Sequence, residues 1–96
     1  MDTIDAGYFA ASLRGDALPS IDLHHTSSLG AADTLLEQAL FAFASQRESV
    51  CRVVHGIGNG TMKDVVHDIV EKNPLVEDFQ LSSDGGSTIV LLSSIR

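Results

Sequence analysis

The chain has 96 residues, 44% of them hydrophobic and 20% charged, which fits one folded domain with a modest core and excludes a disordered segment. A formal net charge of −7 and a pI near 4.7 argue against generic affinity for nucleic-acid phosphates, which rests on Lys and Arg. The single Cys51 excludes a disulfide framework or a cysteine-based metal cage and reads as a small buried thiol. The amino-terminal MDTIDAG lacks the basic start and apolar stretch of a secretory signal. The apolar run around LFAFA at 40–44 is too short to span a bilayer. A soluble, cytoplasmic protein with no membrane partner is expected.

Residues 1–19 form a lead-in anchored by Tyr8, Phe9 and Leu13 and closed by Gly15 and Pro19, and either an edge strand or a short helix suits it. The domain proper is expected over 20–96. SIDLHH at 20–25 alternates, with Ile21 and Leu23 on one side and Asp22 and His24 on the other. That period of two predicts a strand covered on one face only. Thr26, Ser27 and Ser28 offer cap oxygens to a helix over about 28–46, in which Leu29, Ala32, Leu36, Leu40 and Phe43 recur at helical spacing.

VCRVV at 50–54 is continuous and rich in β-branched residues, as an interior strand should be. A turn carrying His55, Gly56, Gly58 and Gly60 follows. Met62, Val65, Val66, Ile69 and Val70 then define a second amphipathic helix with Lys63, Asp64, His67, Asp68 and Glu71 outward. His67 therefore reads as solvated surface. Asn73-Pro74 stops that helix, because proline disfavours helical backbone at the residue before it. VEDFQL (76–81) and STIVLL (87–92) read as two strands around Asp84-Gly85-Gly86. The order βαβαββ predicts an α/β two-layer sandwich: a mixed four-stranded sheet with both helices on one face.

Strands 20–24 and 50–54 should run parallel, so their carboxyl ends share the sheet edge where open α/β sheets bind ligands. His24, His25 and His55 are expected to emerge there. A histidine pair can act as general acid and base in phosphodiester cleavage. A metal route would instead use Asp22 with a hard dication, Mg2+ or Mn2+. The amides of HGIGNG, leading into a helix, could cradle a phosphate. The turn lacks the ending of a P-loop and the spacing of a dinucleotide fingerprint. Taken alone, His55 could equally cap a local backbone group, and Asp22 could be a solvated strand residue.

The pair IDLHH and HGIGNG, separated by one helix and one strand, resembles the Smr (small MutS-related) domain. That family carries L-D-x-H-G after its first strand and H-G-x-G-x-G after its second. Ile21, Asp22, Leu23 and His24 match the first motif with a conservative opening change; His55, Gly56, Gly58 and Gly60 match the second. Lys63 stands where arginine is common, and the likeness covers about residues 20–92. It implies a fold similar to the carboxy-terminal domain of translation initiation factor 3. It also implies endonuclease activity, DNA nicking or RNA cleavage, with DNA or RNA as partner and association with ribosomes in some members. Asp22 and His24 would then activate the attacking group or bind a metal, with His55 as partner acid/base. Gly56, Gly58, Gly60 and Lys63 would hold the phosphate, aided by Arg52 on the open face. His25 replaces the glycine of the first motif and Ile57 a lysine frequent in the second. Ile57 and the acidic charge favour two rivals, a non-catalytic module that binds nucleic acid or a ribosomal surface, or an acidic domain that docks a basic protein, whereas the intact Asp22, His24 and His55 favour the enzyme.

Overall fold

The computed structural model describes residues 18–26, 28–58 and 60–93. The expected lead-in therefore lies outside the described residues up to position 17. Six elements follow in the order β1 (Ser20–Asp22), α1 (Leu29–Ser45), β2 (Val50–Val54), α2 (Thr61–Lys72), β3 (Val76–Leu81) and β4 (Ser87–Leu92).

The strands make one sheet in the order β1-β2-β4-β3. β1 and β2 run parallel, while β4 is antiparallel to both β2 and β3. Ser20 lies opposite Arg52 and Asp22 opposite Val54, which puts Asp22 and Arg52 on one face, since side chains alternate along a strand. β1 is two residues shorter than its alternation suggested. The chain bends after Asp22 into a turn closed by Thr26 N–H donating to Leu23 C=O at 3.0 Å.

Ser28 caps α1, its hydroxyl accepting from Ala31 N–H at 3.1 Å. Leu36 and Leu40 of α1 and Val66 and Val70 of α2 bury against Leu23, Cys51, Val53, Val90 and Leu92 in one cluster, so both helices cover the same face. Each buried Leu or Val contributes roughly 1.5–3 kcal/mol of transfer free energy. Cys51 is fully buried; desolvation, with help from the charge of Glu48, pushes its thiol up to about 12, so it stays protonated and inert. On the opposite face Leu18, Val50 and Leu91 form a smaller cluster with Ile89. No helix among the described residues is long and apolar enough to cross a membrane.

Candidate active site

The end of β1 sets the first half of the site. Leu23 N–H donates to Val54 C=O at 2.7 Å, which holds the chain against β2 as it turns. Asp22 then folds its carboxylate back along its own backbone. Oδ1 accepts from His24 N–H at 3.0 Å and also meets His24 Nδ1. A carboxylate only accepts, so Nδ1 carries the hydrogen and Nε2 is left as the basic nitrogen. The backbone bond first, and the imidazole second, hold the Asp22 carboxyl below its ordinary value. Both side chains remain open to solvent, 51% for Asp22 and 39% for His24. The dyad is exposed and oriented.

The glycine turn sets the second half. His55 N–H and Gly56 N–H both donate to Gly86 C=O, at 3.1 and 2.9 Å. The Gly56 amide, expected to face a phosphate, is thus committed to the β3–β4 turn. Gly56, Gly58 and Gly60 all have positive φ, +79°, +30° and +84°, a region other residues adopt at a cost. Gly60 is the N-cap of α2 and supplies no side chain to its first amides.

His55 does not join His24 at the edge. Cys51 and Val53 point into the covered face, and the alternation carries His55 the same way, leaving it 4% exposed. Its Nδ1 bonds Gly56 C=O at 3.0 Å and its Nε2 meets Thr88 Oγ1 at 2.9 Å. His67, expected on the solvated side of α2, reaches the same hydroxyl through Nε2 at 2.8 Å. Its ring packs edge-on against Phe79 at 5.0 Å. The expectation of a surface histidine is therefore corrected: α2 crosses the sheet so that position 67 faces β3 and β4. Since Gly56 C=O only accepts, His55 Nδ1 is the donor and its Nε2 the acceptor. Thr88 O–H then donates to His55 and accepts from His67 Nε2–H. The bonds form one directed chain, His67 to Thr88 to His55 to Gly56. Burial chiefly, then His55 and Lys63, hold His67 below its ordinary value.

A cleft of about 430 Å³ opens beside the dyad, lined by His24, Arg52, Val54, Gly56, Ile57, Asp84, Gly86 and Ser87. Arg52 lies on this face as expected, and its Nε is buried without a hydrogen-bond partner among the described residues. Asp84 is a wall residue that the turn pattern alone did not reveal. Its carboxylate is fixed by Gly86 N–H at 2.9 Å and Ser82 Oγ–H at 2.7 Å, which hold its carboxyl below the ordinary value. Ile57 is 69% exposed at the rim. Gly58, Gly60 and Lys63 are not among the cleft-lining residues.

A family model described as the Smr domain matches residues 21–93. Among solved structures, the Smr domain of Thermus thermophilus MutS2 is similar, with a TM-score of 0.73 and 25% sequence identity. That match covers 78% of this chain and 98% of the other. A search of curated proteins found no match.

Proposed function

Because the chain belongs to the Smr domain family, whose members bind nucleic acid and include nucleases, we propose that it is an endonuclease cleaving a phosphodiester of DNA or RNA. The observation that carries this reading is the Asp22–His24 dyad, exposed at the lip of a cleft that holds Arg52. Asp22 holds the His24 ring with Nε2 outward, so His24 takes the proton from the attacking water or ribose hydroxyl. Arg52, which lines the cleft, supplies positive charge to the phosphate. Gly58 and Gly60 let the backbone of the turn approach a strand end-on to α2, with Lys63 in the first helical turn as a further phosphate contact.

His55 serves this reading from behind. Buried and bonded at both nitrogens, it fixes the carbonyl of Gly56 and thereby the ledge under His24; in this geometry it is a positioning residue. The competing reading is a module that binds nucleic acid elsewhere on its surface without cleaving it, because the Asp84 carboxylate on the cleft wall opposes entry of the scissile phosphate beside the dyad. A nicking assay on supercoiled plasmid and structured RNA decides between them. Cleavage that co-purifies with the folded wild type and disappears in Asp22→Asn supports the endonuclease; tight binding without cleavage supports the module.

A further inference from the structure

We propose that Asp22, His24 and His25 bind a transition-metal dication of the zinc class. The three residues each offer one ligand atom, all within 4.8 Å of one another, and all three are exposed. The turn is what brings them together. In a continuing strand, His24 and His25 would point to opposite faces. Here the strand ends at Asp22 and the Leu23–Thr26 turn places their rings 3.5 Å apart between centroids, tilted by 44°. Asp22 is folded onto the same imidazole of His24.

The donor set selects the ion. Two imidazoles and one carboxylate suit Zn2+, Co2+ or Ni2+, whereas Mg2+ takes oxygen donors and keeps its waters. Asp22 alone, as read from the sequence, pointed to Mg2+ or Mn2+; the second imidazole changes that class. Metal–ligand distances of about 2.0–2.2 Å require the exposed side chains to close in by small rotations. The ion replaces the hydrogen between Asp22 and His24, and the neutral ring then carries its hydrogen on Nε2, so metal-bound His24 and His24 as a base are alternative states of one residue. Three protein ligands leave at least one position for water, as in an open site. The assignment concerns binding, and it stands whether or not the dyad cleaves nucleic acid.

The test uses chelator-stripped full chain, titrated calorimetrically with ZnCl2 and separately with MgCl2, and with CoCl2 followed by visible absorption. One equivalent of Zn2+ should bind far more tightly than Mg2+, and Co2+ should give d–d bands that Zn2+ abolishes. His25→Gly and His25→Asn, both in an exposed turn, should lower Zn2+ affinity roughly 100-fold, the upper range for disturbed ligand environments. Their thermal melts in the absence of metal should match wild type. His67→Gln should keep wild-type affinity, which separates this site from the His55–His67 pair. Zn2+ affinity unchanged in both His25 variants, or no preference of wild type for Zn2+ over Mg2+, overturns the proposal. Cleavage is not the readout, so loss of zinc binding leaves the endonuclease reading untouched, and an inactive protein can still confirm the metal site.

Discussion

His24 rests on Gly56: a Cβ built on that glycine would stand 3.2 Å from the Cβ of His24. The two motif halves, 32 residues apart by number, therefore meet in a contact that an added Cβ would crowd, so that His24 must give by a few tenths of an ångström. Gly56→Ala meets two penalties, a left-handed backbone at φ +79°, worth about 1–2 kcal/mol, and displacement of His24. Gly60→Ala meets only the first, since no atom among the described residues lies within 4 Å of its added Cβ. Denaturant melts should show Gly56→Ala to be the less stable of the two. Cleavage by Gly56→Ala should fall further than its stability explains, because the dyad moves.

Asp22→Asn should fold nearly as well as wild type, since the side chain is half exposed and asparagine keeps an oxygen for the His24 amide. Cleavage should fall roughly 100-fold or more, the usual loss when positioned acid–base help is removed, with binding unchanged or improved. The pairing also leaves a pH signature. Asp22 titrates below its ordinary 3.8 in the fold, so its stabilising share is present above that value and is lost as pH falls through the folded one. Acid unfolding monitored by circular dichroism should begin at higher pH in Asp22→Ala than in wild type.

Thr88→Val removes the hydroxyl between two imidazoles with little change of shape. His55 Nε2, which is buried, and His67 Nε2, which is half-buried, lose their partner, at a cost of about 2 kcal/mol in total, most of it at His55. Thr88→Ser, which keeps the hydroxyl, should recover most of this in urea titrations.

His67 gives the opposite end of the pH range a test. Its folded value is lowered from the ordinary 6.5, so the unfolded chain binds more protons below that pH. Stability is then full above about 6.5 and declines as pH falls below it. His67→Gln keeps a donor for Thr88 and does not titrate, so its melting temperature should vary less between pH 7 and 5 than that of wild type.

Ile57→Lys places a cation at the cleft rim, where Ile57 is 69% exposed. Nucleic-acid affinity should rise at low salt, and the slope of log affinity against log salt should steepen by about one. Mobility-shift titrations at two salt concentrations check this; identical slopes would mean that this rim does not meet a backbone.

The elements were legible because local pattern and global packing agree. Alternation exposed Asp22 and buried Leu23, Ser28 capped α1 as its hydroxyl suggested, and Asn73-Pro74 ended α2. His55 follows the pleat of Cys51 and Val53 into the covered face, whereas its place at the end of a strand before a glycine turn suggests the open edge. His67 was less legible. Its helical position is polar by pattern, and only the crossing of α2 over β3 and β4 turns it toward Thr88 and Phe79. Asp84 was seen as a turn former, which it is; that its turn also walls the cleft depends on strand order, which hydrophobic pattern does not encode.

The carbonyl of Gly86 accepts the amides of both His55 and Gly56, so the tip of the β3–β4 hairpin is riveted to the histidine–glycine corner. Hairpin tips ordinarily absorb insertions freely. This one is a mechanical part of the ledge under His24, and lengthening it by a single residue between Asp84 and Gly86 would tilt that ledge. Length variation in this fold should therefore be confined to other connections, such as the one from α1 to β2, while the hairpin keeps its span.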